Sequence, residues 1–179
     1  MTAKWDLSRT SFLLVEDNPH MRSILRSVLS GFGVRQIHEA SDGAEGLDAV
    51  VERTPDVVLI DWHMTPLDGG DFVRMLRGDP DLTVATTPVL VISARPKKTT
   101  IVQAVQLGIH GFVAKPVAPA VLYDRVSNVL YRQSLYGRTR GLLKTQRTPP
   151  KTKVKVTDLT QWPDPNDKQD LIERSLALL

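Results

Sequence analysis

Three short apolar runs in this chain each stop at a charged residue able to do chemistry. Phe12-Leu13-Leu14-Val15 runs into Glu16-Asp17, Val57-Val58-Leu59-Ile60 into Asp61, and Phe112-Val113-Ala114 into Lys115-Pro116. Unbroken apolar runs of this length read as strands buried on both faces, and the segments between them are long enough for helices. Steady alternation of strand and helix buries its apolar faces best as a parallel sheet covered on both sides. In such sheets ligands gather beyond the carboxyl ends of the strands, so three acids and a lysine are expected to meet at one edge.

Local signals place the elements. Strand one is expected over Ser11–Val15; Asn18-Pro19 then supplies a cap and a first-turn proline, and Met21, Ile24, Leu25, Val28, Leu29 and Phe32 recur at helical spacing before Gly31 and Gly33. Strand two is expected over residues 34–40, followed by a helix opened by Ser41-Asp42-Gly43, with Ala44, Leu47, Val50 and Val51 inward. Strand three covers Val57–Asp61, and the third helix, Gly69–Arg77, turns Phe72, Val73 and Leu76 inward. A loop at 78–81 leads to strand four, Val89–Ser93; a fourth helix over 99–107 turns Ile101, Ala104 and Val105 inward and is capped by Gly108. After strand five, Gly111–Ala114, a last helix over 119–136 presents Leu122, Val126, Val129 and Leu130 and stops at Gly137. The pattern closes as an α/β fold, a (βα)5 doubly wound parallel sheet.

Clustered carboxylates repel one another and need a counter-charge. An all-oxygen donor set with room left for phosphate oxygens favours Mg2+ over softer metals. Asp61 is placed as a nucleophile beside that ion and the ammonium group of Lys115, which suits acceptance of a phosphoryl group, a transfer governed by positioning and charge neutralisation. Singly these signals are weak, since an acid after a strand is commonly a solvated loop or a helix cap. His63 lacks the cysteine or spaced histidine that zinc would require. Trp62 is expected to pack, partly exposed, beside Asp61.

With 179 residues, 41% hydrophobic and 24% charged, the chain suffices for one core and a small appendage. It has no cysteine, which excludes disulfides and thiolate metal sites and is compatible with a reducing compartment. Residues 1–10 carry no apolar leader and no stretch reaches transmembrane length, so a cytoplasmic location without membrane contact is expected. Eight basic and no acidic residues lie between Arg132 and Lys155; without them the net charge of +3 becomes −5, which separates a mildly acidic body from a basic tail. The expected organisation is a lead at 1–10, a body at 11–136, a basic linker containing Pro and Gly at 137–165, and a short amphipathic helix at 166–179 aligning Leu171, Ile172, Leu176 and Leu179.

Val-Glu-Asp-Asn at 15–18, Ile-Asp-Trp-His-Met at 60–64, Leu-Asp-Gly at 67–69, Val-Ile-Ser-Ala at 91–94 and Phe-Val-Ala-Lys-Pro at 112–116 together resemble the receiver domain of two-component response regulators. The resemblance spans about residues 10–136, in the family's order and spacing, and is that of a stand-alone, chemotaxis-regulator-like receiver with a C-terminal extension. It implies flavodoxin-like topology, Asp61 as phosphoacceptor, and Mg2+ held by Glu16, Asp17, Asp61 and the backbone carbonyl of His63. It further implies that Lys115 pairs with the phosphoryl group, that Ser93 and Phe112 are the switch residues, and that a cis bond precedes Pro116. A histidine kinase or histidine phosphotransfer protein would be the donor, and catalysis would be limited to the protein's own modification. Output would pass through the fourth helix, strand five and the last helix to a protein target.

This sequence departs from the family at three places. Thr65 intervenes before Pro66 in the loop after Asp61, Phe112 lacks a tyrosine's hydroxyl, and His63 and Arg95 flank the path of attacking water, where they are expected to alter the dephosphorylation rate. The tail helix is expected to dock on the output face, on a second copy or on another protein. The alternative function is a receiver-gated adaptor whose basic tail holds nucleic acid or an acidic protein. Nucleic acid is disfavoured, because the tail is too short for a folded DNA reader and its basic stretch has few aromatics for base stacking.

Overall fold

The computed structural model describes residues 5–142, with side chains through Ser134. In chain order the elements are β1 (Ser11–Val15), α1 (Pro19–Gly31), β2 (Gln36–Ala40), α2 (Gly43–Arg53), β3 (Val57–Asp61), α3 (Gly69–Arg77), α4 (Leu82–Ala85), β4 (Val89–Ser93), α5 (Lys98–Leu107), β5 (Gly111–Ala114) and α6 (Pro119–Leu142). The strands form one parallel sheet in the order β2-β1-β3-β4-β5.

Strand pleating sends alternate side chains to opposite faces, and the two halves of the core follow that period. Leu13, Val15, Val58, Ile60, Val89, Val91 and Phe112 face α2 to α5, where they meet Val50, Phe72, Leu76, Ile101 and Val105. Phe12, Leu14, Val57, Leu59, Leu90, Ile92 and Val113 face α1 and α6, against Leu25, Leu29, Leu122, Val126 and Val129. Burial on both sides explains why these strands are continuously apolar.

Helix starts follow local chemistry. The side chain of Asn18 accepts from the backbone N–H groups of His20 and Met21 ahead of Pro19, Asp42 caps α2, and Asp68 caps α3. Each cap satisfies first-turn N–H groups that have no partner within the helix.

The structure corrects several expected boundaries and faces. Strand two begins at Gln36, because the chain leaves α1 through Gly33 at φ 89°, a left-handed turn that must be completed before extension. Ile24 and Val51 are 41% and 56% exposed and Ala44 is exposed too; all three lie off the arc their helices bury, which on α2 is Gly43, Gly46 and Val50. The single turn α4, capped by Asp81, is too short to show periodicity in sequence. The helix expected fourth is therefore α5.

Gly137 does not end α6, which continues to Leu142. An interior glycine costs a helix only about 1 kcal/mol, and it stops one chiefly where the chain turns left-handed. The rest of the linker at 143–165, the helix at 166–179 and its docking lie outside the described residues.

A half-buried cation joins the elements beside α5. Arg77 donates to the carbonyls of Ala85 (2.8 Å) and Thr87 (3.0 Å) and twice to that of Gly108 (3.2 and 3.0 Å). Burial pulls its pKa down to about 10, still far above neutrality, so the clamp keeps its charge. Among the described residues no helix is long and apolar enough to cross a membrane.

Candidate functional site

Backbone pairing carries one residue past each strand end and thereby holds the site residues in register. Glu16 N–H donates to the Ala40 carbonyl (3.1 Å), Trp62 N–H to that of Ile92 (3.1 Å), and Lys115 N–H to that of Ser93 (2.8 Å). The side chains gathered there come from four strand ends, up to 99 residues apart in sequence.

Lys115 is the hub. Its Nζ lies 2.8 Å from Glu16 Oε2 and 3.1 Å from Asp61 Oδ2. Glu16 is 1% exposed and Asp61 7%. One carboxylate oxygen from each of Glu16, Asp17 and Asp61 lies within 4.8 Å of the others, and Asp17 alone of the three is exposed. Asp61 Oδ1 is buried without a hydrogen-bond partner. A buried oxygen left unsatisfied beside two more carboxylates fits a hard cation, which would supply the missing partner and offset the repulsion.

Desolvation dominates the electrostatics of Glu16. Burial raises its pKa, the hydrogen bond from Lys115 works against that, and the nearby charge of Asp61 adds to the rise. Arg22 donates to the carbonyl of Glu16 (2.6 Å) and to the Glu39 carboxylate (3.1 Å), anchoring the turn that presents the acids. Sequence reading missed this residue. Its one signal is its place in the first turns of α1, just past the acidic pair.

Beyond Asp61 the loop closes with Gly69 N–H donating to the Trp62 carbonyl (3.0 Å), and Thr65–Pro66 is cis, as is Lys115–Pro116. Trp62 is only 7% exposed, a correction to its expected partial exposure. A side chain on Gly69 or Gly70 would run into it, so the two glycines let α3 start against the indole.

A hollow of about 230 Å3 opens between Asp61, His63, Ala94 and Arg95. Ser93 is completely buried beside it; its Oγ accepts from Arg95 N–H (3.2 Å) and lies 3.4 Å from His63 Nδ1. Phe112 packs inward at 5% exposure, in the same apolar cluster as Ile101, Val105 and Ile109. The acids and lysine expected at one edge are thus gathered there, with Ser93 beside them and His63 and Arg95 at the rim.

A parallel sheet in this order, with acids and a lysine converging at its carboxyl edge, defines a receiver-type site. Residues 12–127 match the response regulator receiver domain, and the chain belongs to that family. Among curated relatives it is 32% identical over 120 residues to chemotaxis protein CheY-3 of Vibrio cholerae, covering 67% of this chain and 91% of that protein. It is equally identical over 120 residues to chemotaxis protein CheY of Pseudomonas aeruginosa, covering 67% and 95%. Among solved structures it is similar to a putative response regulator from Chloroflexus aurantiacus, with TM-score 0.64, 27% identity, and coverage of 68% of this chain and 98% of that one. The receiver domain of a signal transduction histidine kinase from Syntrophus aciditrophicus aligns with TM-score 0.61 and 25% identity over 80% of this chain and 99% of that one.

Proposed function

We propose that the protein is a phosphoaccepting signalling receiver. Asp61 takes a phosphoryl group from a phosphohistidine on a kinase or phosphotransfer protein, with Mg2+ held by Glu16, Asp17, Asp61 and the carbonyl of His63. The observation that carries this reading is the convergence of Lys115 on Glu16 and Asp61 beside the unpartnered Asp61 Oδ1. In the transfer an Asp61 oxygen bonds to phosphorus as the bond from phosphorus to the donor nitrogen breaks, and the freed imidazole takes its proton from solvent. Bound Mg2+ supplies charge neutralisation for the phosphoryl oxygens.

The chain's own groups supply the rest. Lys115 is within reach of a group built on Asp61, and Ser93 has a hydroxyl to offer its oxygens. Movement of Ser93 would pull the segment between β4 and α5, so output passes through α5, β5 and α6 to a protein partner. A near-complete switch asks for about 5.5 kcal/mol of differential contact, shared among the charge on Lys115, the Ser93 bond and repacking around Phe112. His63 and Arg95, at the mouth of the hollow, set how water reaches the acyl phosphate.

Intact-mass measurement after incubation with acetyl phosphate and Mg2+ tests this directly. The wild type gains one phosphoryl group and Asp61→Asn gains none. Absence of modification on the wild type, or its persistence in the variant, defeats the assignment.

A further inference from the structure

We propose that His63 latches the hydroxyl of Ser93, so that a phosphoryl group on Asp61 has to win that hydroxyl's single proton from the imidazole. The latch presupposes Asp61 as the phosphoacceptor and adds a competing bond to that site.

A serine hydroxyl carries one hydrogen and two acceptor lone pairs. Arg95 N–H fills one acceptor position of Ser93 Oγ at 3.2 Å, and the only other polar contact of that oxygen among the described residues is His63 Nδ1 at 3.4 Å. The latch assigns that hydrogen to Nδ1, with His63 in its Nε2–H tautomer; an Nδ1–H would instead donate to the second lone pair of Oγ. At this length the bond is weak and exchangeable. Ser93 is fully buried, so water does not stand in as an alternative acceptor. Its carbonyl meanwhile accepts from Lys115 N–H at 2.8 Å, so the same residue is tied to the lysine by its backbone and to the histidine by its side chain.

Turning the hydroxyl toward a phosphoryl oxygen breaks its contact with Nδ1, because one proton cannot serve both. His63 thus stabilises the resting arrangement and subtracts from what phosphorylation gains. It acts through Ser93 and is a positioning residue. An ordinary net hydrogen bond of about 1 kcal/mol corresponds to about a fivefold change in affinity, the ceiling for a contact this long.

The test uses the full chain with Mg2+ and beryllofluoride, an acyl-phosphate mimic, titrated by fluorine NMR. His63→Ala is expected to bind the mimic up to about fivefold more tightly than the wild type, while the same replacement in a Ser93→Ala background changes nothing. Nitrogen NMR of the resting protein should show His63 protonated at Nε2. Equal affinities in the native Ser93 background overturn the latch. An equal gain in both backgrounds also overturns it, since His63 would then act by bulk alone, and so does an Nδ1–H tautomer. Failure of the wild type to take up beryllofluoride at all would bring down the phosphoacceptor reading as well, so the two failures are told apart.

Discussion

Glu16 shows how a residue that reads as an ordinary loop acid becomes something else in the fold. It sits 1% exposed with Lys115 on one oxygen, and burial still outweighs that partner, so its pKa is raised. A carboxylate that binds its proton more tightly folded than unfolded gives the folded state the excess of protons between the two values, and stability there falls as pH rises. In metal-free protein Glu16→Gln should therefore be the more stable at neutral pH. Its advantage should close as pH falls through the raised pKa, where the native side chain is neutral too. Urea midpoints across that range check this, and an advantage that widens toward acid contradicts it. Sequence shows Glu16 to be acidic at a strand end; its burial, and its pairing with Lys115 99 residues away, are set by the fold.

At the scale of elements, the start of α3 is a tight joint near the site. A Cβ on Gly69 would come within 2.8 Å of the Asp61 carbonyl oxygen and 2.9 Å of Trp62 Cα, both backbone atoms with little freedom to yield. Gly69→Ala should cost about 1–3 kcal/mol by forcing the helix away from the loop that carries Asp61. Denaturant unfolding would register the loss, and an unchanged midpoint would show that the helix shifts freely. The strands β1, β3, β4 and β5 were legible in full because strands buried on both faces have no polar face to blur their limits. The inner faces of α1 and α2 were less so, since Ile24 and Val51 satisfy the helical period yet fall outside the contact with the sheet. Periodicity reports a stripe, and only docking decides how wide an arc is covered.

For the whole molecule, the acids converge across the sheet's carboxyl edge, so a metal bound there would tie together strand ends that otherwise repel. A ligand that binds only the folded state stabilises it by mass action, by about 2.7 kcal/mol at a hundred times its dissociation constant. Saturating Mg2+ should raise the thermal midpoint of the wild type, and Asp17→Asn, which alters the exposed acid of the three, should lose most of that rise. Equal shifts in both proteins would place the ion elsewhere. The match to the receiver family, residues 12–127, runs from β1 into α6, and this is the part the apolar periodicity already outlined.

Sequence alone determined the alternation of strand and helix, the parallel sheet, and the gathering of Glu16, Asp17, Asp61 and Lys115 at one edge, because apolar period and strand ends are local properties of the chain. Tertiary structure decided which lone pairs stay empty, how Lys115 divides itself between Glu16 and Asp61, the burial of Trp62, and the approach of His63 to Ser93. Those depend on distances between side chains from different strands, which packing sets and no single segment encodes.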